Sequence, residues 1–397
     1  MKHIPVKSIL IGILSFLVCI NLYKSISLYS HPDSPYDARN IFLAGKMWLK
    51  HQNPYNDSLL KLEWQQTASF YDIASTKAPG FKDCGMIYPF WSIPMLYPYF
   101  ASIWPISKLL ILFLSGIFLL TLAYFTYKSF AEVGLSFALC LLILLAFKSS
   151  LIAVALGQPL LMSMASIMVS WYFYQKNKDT LSGLFLGVAF VKITLCLPFV
   201  LLFMLSKKWK LLAYSALIPV MGALVFYSQA GHFYWAEMAQ NINQQMQINY
   251  AGHTITAVNT NLTELGILLN YFGGVSYSFL SIFNPSMIII GSLGLMWCYS
   301  KNYMNAAELL ALLIVWHFLF SYHLIYDCIL LIFLIPLFKN RRMFNWVWML
   351  LLCPLFLPIN GIFKSIAWIH FHLPIALLSL FLNLVYVCYR NHTIRAL

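Results

Sequence analysis

Four groups of polar residues in this chain have types and spacings suited to chemistry. Asp37 stands in SPYDARNIFLAGKMWLKHQNPYN, shortly after a first apolar run. A carboxylate held at a membrane surface can take the proton from a hydroxyl acceptor. Its competing use is to cap a helix N-terminus. Lys192 lies in LSGLFLGVAFVKITLCLPFV, between two apolar segments. An ammonium there is expensive unless it pairs, so an anion such as a phosphate is its natural partner. The alternative is snorkelling into a headgroup layer. His323 and Asp327, in HLIYD, are four apart and should share a helix face, with His317 earlier in the chain. They suit a catalytic or phosphate-binding pair, or a His–Asp hydrogen bond that satisfies both groups inside a bundle. Gly157-Gln158 is a polar break between apolar segments. No Walker A loop, GxGxxG, HExxH or GxSxG is present, which argues against an ATPase or a zinc protease.

These groups must be positioned by a membrane protein. Hydrophobic residues make up 61% of the 397 and charged residues 9%, far below the ~25% of a soluble domain. The apolar residues come in continuous blocks long enough for helices of ~20 residues, and continuous rather than alternating blocks exclude a β-barrel. The net charge of +13 sits in short basic clusters between those blocks, such as Lys176 and Lys178 or Lys207, Lys208 and Lys210. That is the pattern of cytoplasmic loops, so nucleic acid is not an expected partner. The eight cysteines are dispersed without CxxC or metal-ligand spacing and read as small apolar residues. Asn261-Leu262-Thr263 fits the N-glycosylation pattern.

The expected fold is an all-α, polytopic transmembrane bundle of ten to twelve helices forming one domain. A retained signal anchor covers about Ser8–Tyr29. A polar stretch from His31 to about Cys84 follows, an outer loop whose limits fall near 30–87. Within it Ala38–Lys50 can form a short amphipathic helix on the membrane surface, with Ile41, Phe42, Ala44, Gly45, Trp48 and Leu49 on one face. Asp37 opens that helix, at the positive end of its dipole. The segment Ile87–Pro105 is broken by four prolines and is either a broken span or a re-entrant one. Later spans include Val133–Leu156, Leu160–Tyr174, Leu181–Val191, Leu195–Leu205 and Trp346–Pro358. A second outer loop runs over about 229–285. If all basic clusters face the cytoplasm, the Pro-rich segment dips in and returns, and Lys192 lies near the outer face. If that segment spans instead, Lys128 and Lys176 face outward. Both arrangements put the two polar stretches outside.

In order along the chain, these segments resemble glycosyltransferase family 87, a branch of the GT-C superfamily. The resemblance rests on Asp37, Phe42, Ala44, Gly45, Leu49, Pro54 and Tyr55; on Tyr88-Pro89-Phe90, where the family's second proline is missing; and on Gly157-Gln158. It continues through Gly183, Gly187, Ala189 and Lys192, with Pro198 following, to His323, Tyr326 and Asp327. It implies transfer of a sugar, often mannose, from a polyprenyl-phosphate-sugar donor to a lipid or glycan acceptor. The reaction would occur on the outer face of the membrane, here a bacterial inner membrane. The resemblance also implies that Asp37 is the catalytic base with His323 beside it, and that neither a metal nor any other cofactor is needed. Lys192 would then meet the donor's phosphate, with Arg39, Gln158, Tyr88, Tyr326 and Asp327 as further substrate-binding candidates. Trp48, Trp64, Tyr55 and Tyr88 could stack on sugar faces or anchor the interface. A transporter or flippase of a lipid-linked sugar, and an inactive assembly partner, are the alternative readings.

Overall fold

The computed structural model describes residues 6–30, 34–70, 86–250, 263, 265–321, 323–339, 355–356 and 372–396. All regular elements among them are helical. Five helices are long and apolar enough to cross a membrane: Ile11–Tyr29, Trp104–Ser129, Asp179–Leu205, Trp209–Ala230 and Ser278–Ser300; a bent pair makes a sixth. The shorter apolar helices are Ala306–Phe320, Ile325–Leu337 and Leu373–Tyr389. The protein is therefore an all-helical membrane protein. Among the described residues, five or six helices meet the length and composition of a span, against the ten to twelve expected from sequence for the whole chain, and most of Trp346–Pro358 lies outside the described residues.

The chain divides into two compact units. The first comprises Met1–Ser129, Ser136–Cys196 and Trp209–Gln245. Its helices are α1 (Val6–Tyr29), α2 (Tyr36–Leu49), α3 (Asp57–Phe70), α4 (Ser92–Met95), α5 (Trp104–Ser129), α6 (Phe137–Ala146), α7 (Lys148–Leu156), α8 (Leu160–Gln175), α9 (Asp179–Ala189), the start of α10 (Ile193–Leu205), α11 (Trp209–Ala230) and most of α12 (Trp235–Tyr250). α9 packs between α8 and α11, α8 lies on α5, and α1 packs on α6 and α7. The α9–α11 seam is a backbone contact. A Cβ at Gly183 would fall 2.3 Å from the Leu211 carbonyl oxygen, and one at Gly187 would fall 2.6 Å from that of Ser215. Small residues are what allow membrane helices to approach this closely.

Three local expectations change in this unit. The run Val133–Leu156 is not one straight span. α6 and α7 meet at Phe147 with a bend of 69°. A break leaves helical carbonyls without partners, and Asn21 of α1 donates to the Ala146 carbonyl at 2.8 Å. Conversely, the two short segments expected around Lys192 join through a 3₁₀ turn at Phe190–Lys192 into the 27-residue run Asp179–Leu205. Lys192 sits midway along it rather than at a boundary, and the Lys176/Lys178 and Lys207/Lys208 clusters flank its two ends. If that run crosses the membrane, those clusters cannot both face the cytoplasm. Finally, the Pro-rich segment does not form a spanning helix. It folds into α4 and a 3₁₀ turn at Tyr97–Tyr99, each too short to cross, and packs on α11 and α2.

α2 forms where the apolar spacing predicts, but it does not lie on a surface. Ala38, Ile41, Phe42, Leu43, Ala44, Met47 and Trp48 are all buried, while Leu49, expected on the apolar face, is exposed. The two polar stretches meet around it. Asn241 of α12 donates to the carbonyls of Tyr55 (2.9 Å) and Met86 (3.3 Å), and the His51 ring contacts the Gln229 carbonyl at 2.6 Å. The beginning of the second stretch therefore packs against the first.

The second unit comprises Phe130–Leu135, Leu197–Lys208 and Met246–Leu397. Its further helices are α13 (Gly266–Gly273), α14 (Tyr277–Ser300), α15 (Ala306–Phe320), a 3₁₀ helix (Ile325–Lys339) and α16 (His372–Ala396). α15 is its centre, packed on α14, α16 and the 3₁₀ helix and buried along nearly its whole length. A capping box starts it: Asn305 accepts from the Glu308 amide and Glu308 from that of Asn305. Trp316 donates to the Met287 carbonyl of α14 at 2.9 Å, its ring lying over Gly291.

Candidate active site

Asp37 is in the first turn of α2, yet it caps nothing. The N-cap residue is Pro35, which makes no side-chain bond. The Asp37 carboxylate instead accepts from the side-chain amide of Gln158, 121 residues away. Gln158 is itself oriented, because the Tyr88 hydroxyl donates to its amide oxygen at 3.0 Å. With that oxygen occupied as an acceptor, the NH₂ end must point at Asp37. Two cations, Lys192 and Arg39, act electrostatically on the same carboxylate. Burial nevertheless dominates. It holds the Asp37 carboxyl above its ordinary value, opposed by the Gln158 hydrogen bond, then Lys192, then Arg39. The residue keeps part of its surface open.

The chain segments that carry these groups are shaped to bring them together. α7 ends at Gly157, whose φ of +63° is readily adopted by glycine. A Cβ there would also lie 2.5 Å from that of Ala38. Gly157 thus lets the start of α2 close onto the end of α7 and delivers Gln158 to Asp37. Ser34 adds a bond to the Ala155 carbonyl at 3.2 Å. Tyr88 is fixed in turn, its carbonyl accepting from the buried Tyr55 hydroxyl at 2.8 Å. The same Pro-rich segment holds the Lys192 turn. Trp91 donates to the Phe190 carbonyl at 3.1 Å and Ser92 to that of Val191 at 3.3 Å.

Five of the residues singled out from sequence therefore converge: Asp37, Arg39, Tyr88, Gln158 and Lys192. Arg39 is buried, its guanidinium 5.0 Å from the Trp64 ring and 5.5 Å from that of Tyr36. Trp48 and Trp64 are neither sugar platforms nor interface anchors. Both are buried, Trp48 stacked on Phe226 and Trp64 edge-on to Trp104. Phe90, which replaces the second proline of the family pattern, sits among Trp91, Phe226, Phe233 and Trp235. The sequence reading missed Asn241, Trp91 and Ser92 because each acts through a distant backbone carbonyl, for which spacing carries no signal. A groove of about 270 Å³ lies further along α2, where Lys46 and Glu63 line it together.

His323, Tyr326 and Asp327 lie in the second unit. His323 does not share a helix face with Asp327, because it precedes the 3₁₀ helix whose first turn contains Asp327. The His323 Nδ1 contacts Asp327 Oδ2 at 3.1 Å, and the Leu324 amide donates to the same oxygen at 3.3 Å. Both side chains are buried, whereas Tyr326 is partly exposed. The His317 ring is 4.9 Å from that of His323. Thr263, third residue of the glycosylation pattern, spends its hydroxyl inward. It donates to the Phe318 carbonyl at 2.9 Å and accordingly pins this break, while Asn261 lies outside the described residues.

A helical membrane protein with a carboxylate, an oriented amide and a cation gathered around the start of one buried helix is built like a membrane enzyme. The pattern of glycosyltransferase family 87 matches residues 87–322, more than half of the chain, and the protein belongs to that family. It is accordingly a glycosyltransferase, using a sugar donor and an acceptor. The matched stretch includes Tyr88, Gln158 and Lys192; Asp37 precedes it, and His323 follows it. No curated protein matches the chain.

Proposed function

We propose that this glycosyltransferase moves a hexose, mannose by the family resemblance, from a polyprenyl-phosphate-sugar donor to a lipid or glycan acceptor. The reaction would take place on the outer face of a bacterial inner membrane. Asp37 removes the proton from the acceptor hydroxyl as its oxygen attacks the anomeric carbon. The bond from that carbon to the phosphate oxygen breaks, and polyprenyl phosphate departs with the electron pair. Lys192 stabilises the charge that develops on the phosphate.

The observation that supports this reading is the meeting of Asp37 with Lys192. The first comes from the start of α2, the second from midway along a 27-residue apolar run, and the Lys192 charge favours the ionised form of Asp37. A base and a cation so placed match the two charges that the reaction moves. The raised pKa of Asp37 also suits a base, since a more basic carboxylate accepts a proton more readily. The outer face is supported by Lys2 and Lys7 at the start of the first helix, which favour a cytoplasmic start and so put α2 beyond its other end.

The test uses purified protein in detergent with a labelled polyprenyl-phosphate mannose and a panel of lipid and glycan acceptors. Transfer releases polyprenyl phosphate and forms a glycoside, and Asp37→Ala abolishes both. Movement of the intact lipid-linked sugar across vesicles, with no bond made, would overturn the proposal in favour of transport.

A further inference from the structure

The segment Tyr88–Ser92 touches both halves of the site. At one end the Tyr88 hydroxyl fixes the Gln158 amide that binds Asp37. At the other, Trp91 and Ser92 hold the carbonyls of Phe190 and Val191, the two residues before Lys192. These contacts bridge 70 residues of sequence in the first case and 99 in the second. The segment is stiff for reasons visible in its composition: Pro89 restricts the backbone, and Phe90 and Trp91 are packed edge-on, their ring centroids 5.2 Å apart. It is anchored from outside the site by Tyr55 on the Tyr88 carbonyl and by Asn241 on the Met86 carbonyl. Gly222 of α11 receives the Trp91 carbonyl so closely that a Cβ would lie 2.5 Å away.

We infer that Tyr88–Ser92 is the positioning element of the site: one rigid segment sets the orientation of Asp37 through Gln158 and the location of Lys192 through its turn, and thereby their separation. None of its residues need touch the reacting atoms. Tyr88 and Ser92 are positioning residues for two different steps, proton removal and phosphate binding. This inference rests on the proposed roles of Asp37 and Lys192.

The charged groups acting on Asp37 are Lys192 and Arg39, and Tyr88 reaches it only through Gln158. Lys46 and Glu63, on α2 and α3, act on each other further along. A Tyr88→Phe change alters none of these charges. It removes the hydroxyl that fixes the amide, so the anionic form of Asp37 loses hydrogen-bond support.

The experiment reads Asp37 directly. Infrared difference spectra of the full chain in detergent, referenced to Asp37→Asn, follow its carboxyl stretch with pH. Tyr88→Phe should move that titration upward by about one pH unit, the worth of a hydrogen bond to a charged group. Gln158→Glu should move it further in the same direction, because two acids then share the site. Ser92→Ala should leave the titration in place and weaken binding of polyprenyl phosphate about fivefold, the worth of one neutral hydrogen bond. The inference is overturned if Tyr88→Phe leaves the titration unmoved, or if Ser92→Ala leaves polyprenyl phosphate binding unchanged. Failure of the functional proposal looks different: Asp37→Ala would then retain transfer, whatever the titrations show.

Discussion

Asp37 and Asp327 both sit in the first turn of a helix, and their hydrogen bonds are assembled in opposite ways. Asp327 takes its partners from its own turn, the His323 ring four residues back and the Leu324 amide, and is buried with them. That arrangement forms as soon as the turn forms. Asp37 depends on a residue 121 positions away, on Lys192, and on Tyr88 behind the amide. It is left partly open and with its charged form disfavoured. Local, closed pairing is what a structural lock looks like. At Asp37 burial disfavours the charge, distant segments only partly offset it, and the group stays partly open, which is the pattern expected of a carboxylate with a use other than stability.

The sharpest way to break this contrast is to remove each acid in turn. Asp37→Ala should lower the transfer rate about a thousandfold, the range of general base catalysis, while the thermal unfolding midpoint stays near that of the parent. Next, Asp327→Ala should destabilise the protein by about 3 kcal/mol, because His323 stays buried without its acid. The measurement is the unfolding midpoint in detergent, and an unchanged midpoint would show that the lock is no lock.

Lys192→Met should reduce transfer about a hundredfold through loss of charge stabilisation. A loss equal for wild type and for Asp37→Ala would mean that the two residues do not work together. Gly157→Ala should cost about 1–2 kcal/mol in backbone strain and reduce transfer as Gln158 is displaced, measured as paired stability and rate.

The smallest effect is a gain. Asp37 has a raised folded-state pKa, so its contribution to stability is fully present below the unfolded value and is lost as pH rises through the folded one. Asp37→Asn should therefore be slightly more stable than wild type at neutral pH and lose that advantage in acid. By the same sign, the acid limb of the rate profile should lie above the ordinary carboxylate range.

Much of this site was legible in one dimension. Asp37, Gly157-Gln158, Tyr88 and Lys192 stand out because polar residues in apolar surroundings are costly and therefore conspicuous. The helix over Tyr36–Leu49 follows from its apolar spacing. What could not be read was set by contacts distant in sequence. The α6–α7 bend is supported by Asn21 from another helix, and the joining of α9 to α10 depends on Trp91 and Ser92 reaching the carbonyls before Lys192. Trp64 looked like a sugar platform because its ring is amphipathic. Only the fold shows that Arg39 and Trp104 already occupy its surroundings.

The glycine seam between α9 and α11 limits how the lipid-linked donor proposed above could approach. Main chain meets main chain at Gly183 and Gly187, leaving no gap there wide enough for an isoprenoid. The long unsaturated tail of the proposed donor would therefore thread in along some other flank of the bundle. A search for its doorway can leave these two helices out and begin where side chains, rather than backbones, form the wall.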